Sequence, residues 1–555
     1  MASQMFPVLA ARAALTLALA LLATTPAPAA KAEAEWQYQV QPGDTLLTLS
    51  DSLLEPERGW RDLQRLNRIA DPLRLQPGAK LRMPLAWLRR EAAVARVLHV
   101  QGEVKLSRPG MAEAKGLLAV GAELRAGDTL ETGRQGSISL RFADGSRLLL
   151  SPGSRMGLEE LLVHGRSAIP STRLRLHEGN VENRVQPNAA QPPRYEIRSP
   201  HLNLGVRGTE FRVQADAAGS RAQVLEGRVA LDQGKAELPL AAGFGLAVTP
   251  GQAPGKAQAL LPAPSLAGVA GRLERLPPQL AWPALAGAQR YRAQVFAAGS
   301  GDEQLVAEAL VAQPLAQWPE LADGSYRLRL RGIDAQGLEG RSAETGFVLK
   351  ARPEPPFLQS PAADGVVYGD SVRIGWTRAL AARHYRLQLS EREDFAAPLR
   401  VERERERVTG TEAELALPPG RYFWRVASVA AGADGSDDPG PFSDTQSFTL
   451  RPQPPSPEAM PPELGDRLRL RWRAVPEMRY QLQLAGDVEF GSSLRQWDSA
   501  EASLELDRPP PGTYYLRLRS VDAHGHAGPW GGVQQIDVPH PRWLWLLMLL
   551  PLLGL

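Results

Sequence analysis

Apolar and polar residues alternate one by one over Trp36-Gln-Tyr-Gln-Val40, a period of two that predicts a half-buried strand. The period then changes. Pro42 and Gly43 predict a turn, Asp44 or Thr45 can cap a helix, and Leu46, Leu49 and Leu53 recur at helical spacing through Leu54. Trp60, Leu63, Leu66 and Ile69 predict the inner face of a second helix. Leu75-Gln-Pro-Gly78 predicts a second turn, and Lys80-Leu-Arg-Met-Pro84 a closing strand. From 36 to 88 the order is strand, helix, helix, strand.

Beyond Ala92 the period of two dominates, broken by glycine turns. Val94 to Val100 and Gly102 to Leu106 predict a hairpin. Ile138, Leu140 and Phe142 alternate with polar residues, then Asp144-Gly-Ser146 turns the chain into Leu148 to Leu150. Near Arg207-Gly-Thr-Glu210, Gly208 predicts a tight turn or bulge before a strand resumes at Phe211. Alternation fades from Ala241 to Gly271, which is rich in Pro, Ala and Gly and reads as a linker. Its Gly251-Gln-Ala-Pro-Gly255-Lys256 is one residue short of a phosphate loop, and Pro254 would break the N–H cradle.

The last half of the chain repeats itself. Trp282, Trp376 and Trp472 recur roughly every 95 residues, followed by Tyr291, Tyr385 and Tyr480. Near the end of each repeat stand Asp323-Gly-Ser-Tyr326, Pro419-Gly-Arg-Tyr422 and Pro511-Gly-Thr-Tyr514, each Tyr opening an alternating strand. A buried Trp and such a Tyr at this period predict seven-strand sandwiches. Pro353-Glu-Pro-Pro356 and Pro452-Gln-Pro-Pro455 would be semi-rigid joints.

These residues carry three family resemblances. Tyr38-x-Val40-x-x-Gly43-Asp-Thr-Leu46, Leu63-x-x-Leu66-Asn67 and Leu75-x-Pro77-Gly78-x-x-Leu81-x-Met83-Pro84 resemble the LysM module. LysM modules bind N-acetylglucosamine polymers, above all peptidoglycan. The resemblance implies a ligand site with Gly43, Asp44, Thr45 and Leu46 on one side and Leu73, Leu75 and Gln76 on the other. The inter-helix loop Leu54-Glu-Pro-Glu-Arg-Gly59 is longer than the family's usual one. Gly127-Asp-Thr-Leu-Glu-Thr-Gly133, Gly136, Phe142-x-Asp-Gly-Ser146, Leu174-x-Leu-x-x-Gly179, Ser199-Pro200, Val206-Arg-Gly-Thr-Glu-Phe211 and Leu225-Glu-Gly-x-Val229 resemble the FecR domain. That family is best known as inner-membrane relays that control a sigma factor. The relay role needs a cytoplasmic segment and one transmembrane helix before the domain, where this chain has a LysM-like module. The repeats resemble fibronectin type III modules, which implies that Tyr326, Tyr422 and Tyr514 are tyrosine corners.

Composition adjusts the picture in three places. The 555 residues suit three to five domains, and a net charge of +3 implies no broad attraction to nucleic acid or anionic surfaces. Arg12, the apolar run Ala13 to Ala23 and Ala27-Pro-Ala29 predict a cleaved signal peptide. With no cysteine, an exported chain has neither disulfides nor thiolate metal sites, so its domains rest on burial. Asp522-Ala-His524-Gly-His526 could clip a cation, but no further ligand is evident and a variable loop is the favoured reading. Trp543 to Leu555 is apolar, too short for a full span and interrupted by Pro551; a membrane-surface anchor is expected. No hydrolase or nucleotide motif is present.

The expected fold is therefore mainly β and multidomain: a small βααβ LysM module, a β-rich FecR-like domain and three tandem Ig/fibronectin III-like β-sandwiches. The expected boundaries are signal peptide 1–29, LysM 36–88, FecR-like domain 92–238, linker 239–275, sandwiches 276–352, 353–452 and 453–539, and tail 540–555. The expected function is an exported, non-enzymatic envelope protein that binds peptidoglycan and presents its other domains as a scaffold. The alternatives are a FecR-type sensor and a peptidoglycan hydrolase. No cofactor, metal or nucleic-acid partner is expected; the partners would be peptidoglycan, an envelope protein and a membrane at the tail.

Overall fold

The computed structural model describes residues 35–110, 118–164, 169–187, 194–206, 208–232, 237–252, 255–299, 304–396 and 407–540. The expected leader 1–29, and the expected tail beyond His540, lie outside the described residues, as does Arg207. The chain divides into two compact units, Met1–Leu349 and Lys350–Leu555.

The first unit opens with β1 (Glu35–Gln39), α1 (Leu46–Leu53), α2 (Trp60–Asn67) and β2 (Lys80–Pro84). β1 and β2 pair antiparallel, Trp36 opposite Met83 and Tyr38 opposite Leu81. α1 starts on a side-chain cap, and α2 starts on Gly59, whose N–H is taken by a side chain of the first turn. Thr45 accepts from the Thr48 N–H at 3.0 Å while Thr48 accepts from the Thr45 N–H, and Asp62 accepts from the Gly59 N–H at 3.0 Å. Trp36, Val40, Leu46, Leu49, Leu53, Leu63, Leu81 and Met83 close the core of this module. The long inter-helix loop is tied to the chain leaving the module: Leu54 bridges Leu88, and Arg58 stacks on Trp87 at 4.8 Å.

More than a peptide joins this module to the neighbouring β domain. Ile169, from that domain, lies in the module's core. Arg90–Ala92 pairs with Leu162–His164, and the Arg89 N–H donates to Leu53 O at 2.9 Å.

The β domain is two sheets sharing one strand. Ile169–Arg184 runs sixteen residues; its first half pairs with Arg155–His164 and, in parallel, Arg194–Arg198. Its second half pairs with Arg147–Leu150 and Glu210–Asp216. The crossover is at Gly179, φ +98°, where a Cβ would stand 2.1 Å from the Ser154 hydroxyl, so only glycine fits. Leu130, Ile138, Leu174, Val181, Phe211 and Val224 represent the core between the sheets.

Two expectations fail here for the same reason, that sheet membership is not local. Ala95–Gln101 and Val104–Ser107 are not a hairpin: the first pairs with Ser137–Arg141, the second with Thr129–Thr132 in the other sheet. Gly102, at φ +62° against the Gln135 carbonyl, turns the chain between sheets. The stretch 239–275, expected as a linker, carries strands. Glu237–Ala241 pairs with Arg228–Asp232, Phe244–Val248 with Ser220–Val224, and Arg272–Leu273 opens the sheet of the first sandwich. Leu240 and Leu246 are fully buried; Pro239 and Gly243 hide their alternation, and a proline is tolerated because this is an edge strand. Ser137–Arg141 and Arg147–Leu150 do pair across the Asp144 turn, and Gly208 is a tight turn at φ +57° before the strand resumes at Glu210.

Each repeat is a sandwich. In the first, Arg290–Ala297, Gly324–Ile333 and Ala343–Leu349 are central to one sheet, with Gln279–Ala281 and Leu315–Gln317 opposite. The second unit holds the other two. Ser371–Trp376 and Glu412–Ala416 face His384–Ser390 and Gly420–Ala431; Arg467–Arg471 and Ser503–Asp507 face Arg479–Ala485 and Gly512–Val521. Trp282, Trp376 and Trp472 meet Tyr291, Tyr385 and Tyr480 edge-on at 5.5, 5.6 and 5.2 Å. The Tyr326, Tyr422 and Tyr514 hydroxyls each donate to the carbonyl four residues back, at 2.8, 2.8 and 3.0 Å. These are tyrosine corners. Pro353 and Pro454 pack on Gly440 and Gly528, where a Cβ would sit 2.0 and 2.3 Å from their carbonyl oxygens.

Candidate functional site

The N-terminal module ends on two turns built alike. Gln41-Pro-Gly-Asp44 closes through the Asp44 N–H to Gln41 O at 3.1 Å, and Gln76-Pro-Gly-Ala79 through the Ala79 N–H to Gln76 O at 3.1 Å. Proline presets the second position of each, and glycine takes the left-handed third, φ +92° at Gly43 and +86° at Gly78. The two turns are held side by side. Val40 N–H donates to Ala79 O at 2.9 Å, and Gly78 N–H to Val40 O at 2.8 Å. Both tops are open, since a Cβ at Gly43 or Gly78 would meet nothing within 4 Å.

One anchor fixes the first turn from below. The Tyr38 hydroxyl donates to Asp44 Oδ2 at 2.6 Å, and that oxygen also accepts from the Gln41 N–H at 2.6 Å. Burial, together with the Asp44 carboxylate, pushes the Tyr38 phenol up to about 12. Asp44 is thus engaged within the turn, and the helix cap is Thr45.

The seven expected site residues separate into three kinds. Gly43, Thr45, Leu73 and Gln76 are exposed, Leu73 at 93%. Asp44 and Leu75 are half-buried, Leu75 packed against the core. Leu46 is different: its side chain is 1% exposed and belongs to the core, so only its backbone faces the turn region. Helical spacing explains why, because Leu46 shares its face with Leu49 and Leu53. Sequence reasoning missed Leu47. It is 54% exposed immediately after the cap, an apolar side chain on the outer face of α1, and that off-face position was its one signal in the sequence. The Leu73 N–H is held by Asp71 Oδ1 at 3.0 Å, which orders the second lip.

Such a site offers backbone amide groups on two fixed turns, with leucines beside them. Polar backbone groups suit an acetamido group, and apolar side chains the face of a sugar ring. Residues 38–84 match the LysM domain family, and residues 128–230 the FecR protein family. The chain carries a LysM domain and a FecR domain. Both are non-catalytic binding or signalling domains, typical of cell-envelope proteins; LysM supports binding of peptidoglycan, and FecR suggests protein partners in the envelope. The FecR domain as folded exceeds its match, since strands at 95–107 and 237–248 complete its two sheets.

No curated protein matches the chain. Among solved structures, the FN1–FN3 domains of chicken CNTN1 match at 16% identity over 47% of this chain and 94% of that one, with a TM-score of 0.22. A candidate anti-sigma factor from Parabacteroides distasonis ATCC 8503 matches at 18% identity over 23% of this chain and 57% of that one, with a TM-score of 0.20.

The cation candidate at Asp522, His524 and His526 is a turn. Asp522 Oδ1 accepts from the His524 and His526 N–H groups at 2.9 and 2.8 Å, and the His526 ring stacks on Tyr368 at 3.5 Å. Among the described residues no cluster of three His, Asp or Glu side chains could hold a metal ion. No helix among them is long and apolar enough to cross a membrane.

Proposed function

We propose that this is an exported cell-envelope protein that grips peptidoglycan through its LysM domain and presents the FecR domain and sandwiches to partner proteins, without catalysis of its own. The ligand would lie across the paired turns. It would meet the backbone of Gly43, Asp44, Thr45 and Leu46 on one lip, and Leu73, Leu75 and Gln76 on the other, with Leu47 extending the apolar surface. The pair of open Gln-Pro-Gly turns tied through Val40 is the observation that carries this reading.

Sedimentation of the full-length protein with purified sacculi tests it. Leu73→Asp combined with Gln76→Ala alters two exposed positions and should leave the thermal unfolding profile unchanged. Retention should fall by about tenfold, the cost of an apolar contact and a hydrogen bond at a ligand site. Equal retention of both proteins would refute the site.

The FecR match favours a second reading, an envelope sensor that passes a partner's signal onward. Mapping the N-terminus distinguishes the two: an uncleaved cytoplasmic N-terminus supports the sensor, a cleaved one the scaffold.

A further inference from the structure

Charged side chains are buried where the FecR domain packs on the first sandwich. Glu182 of the FecR domain accepts both Nη groups of Arg331 at 2.7 Å, and the Gln294 amide at 2.9 Å. Arg212, 1% exposed, donates to Gly340 O at 2.9 Å and Ser342 Oγ at 3.0 Å, and lies 4.0 Å from the Glu339 carboxylate. Its Nε has no hydrogen-bond partner, and burial, with Arg331 beside it, lowers the guanidinium to about 9. Glu339, fully buried, also holds Arg292 at 2.6 Å and Arg331 at 3.1 Å and accepts from Gln214. The apolar cluster that accompanies these charges is small: Leu149, Phe296 and Leu305.

The other sandwiches carry parts of the same pattern. In the first, Gln294 stands opposite Arg329 and Arg292 opposite Arg331; in the third, Gln483 stands opposite Arg517 and Gln481 opposite Arg519. The third therefore presents the Gln and both Arg side chains in register. It differs where Arg292 becomes Gln481, where Glu308 becomes Gln496, and at the position of Glu339. Ile333 bridges Glu339 in the first sandwich, whereas Val521 bridges Ala527 in the third. The second sandwich has Ala427 at the position of Arg331.

We propose that Glu339 is the specificity-determining residue by which the FecR face centred on Glu182 and Arg212 takes the first sandwich, and neither of the others, as its partner in cis. This goes beyond the scaffold reading, in which the three sandwiches are equivalent. A buried guanidinium without a carboxylate is strongly unfavourable, whereas removing both charges of such a pair is often neutral. The third sandwich, docked on this face, would bring two arginines and leave Glu182 as the one carboxylate to balance them and Arg212. The first sandwich is then a fixed extension of the FecR domain.

Hydrogen–deuterium exchange of the full-length protein tests this. Glu339→Ala gives the first sandwich the alanine that the third one has at this bridge. Exchange should rise on the order of a hundredfold in Glu210–Asp216 of the FecR domain and Arg290–Ala297 of the sandwich. Arg479–Ala485 in the third sandwich should not change. Adding Arg212→Met removes the stranded charge from the opposite domain, and the double variant should return both strands toward parental protection. If Glu339→Ala leaves Glu210–Asp216 protected, the proposal is wrong. It is equally wrong if the double variant stays as open as the single one, because the sandwich has then simply unfolded.

Discussion

Tyr38 and Asp44 show how a single hydrogen bond shapes the candidate site. Asp44 lies in the resemblance motif and suits a helix cap or a ligand contact, yet its carboxylate is spent on the Tyr38 hydroxyl and the Gln41 N–H. The partner six residues away belongs to a strand, so local spacing could not reveal it. Tyr38→Phe should cost about 1 kcal/mol and loosen the first lip, read as faster exchange of the Gln41 and Asp44 amides. The phenol adds a pH signature. Its folded value is raised to about 12 from an ordinary value of about 10, so the stabilisation is complete below about 10 and is lost as pH climbs toward about 12. A tyrosinate absorbance titration should lose one late-titrating residue in Tyr38→Phe, while Tyr195 and Tyr422, whose phenols burial also raises, still titrate late. Leu46 carries the complementary lesson: periodicity places it in the core, and the core is where it is.

At the scale of elements, legibility followed locality. All four LysM elements were readable because each signal, a Pro-Gly turn, a Thr cap or a 3.6 period, lies within a few residues. The tyrosine corners were readable for the same reason, as their bonds span four residues. The pairing of 95–101 with 137–141, and the strands hidden in 239–275, depend on partners far along the chain. One contact between elements can be tested directly. Asn67 donates to Leu63 O at 3.0 Å and Arg82 O at 2.9 Å and accepts from the Arg82 N–H at 2.7 Å, fastening α2 to β2. Asn67→Ala should cost about 2 kcal/mol, since it strands backbone groups as well as deleting bonds. Exchange of Lys80–Pro84 measures it, and an unchanged rate would show that β1 alone holds β2.

For the whole molecule, the LysM domain is built into the FecR domain through Ile169 and the strand Arg90–Ala92, so a load on either is shared by both. The apolar tail is expected to add a second attachment. Burying Trp543 to Leu555 at about 25 cal/mol per Å² favours a membrane surface, and salt should not weaken an apolar contact. In membranes freed of sacculi, full-length protein should then be released by detergent but not by high salt, and deletion of 543–555 should release it without either while it still binds sacculi. Unchanged fractionation would assign retention to a partner alone. The central claim, however, rests on the paired turns. Calorimetric titration of the full-length protein with N-acetylglucosamine oligomers addresses them directly: binding at one site per chain, weakened about tenfold in Leu73→Asp with Gln76→Ala, is the predicted result. Absence of binding, or binding that the double substitution leaves intact, would contradict it.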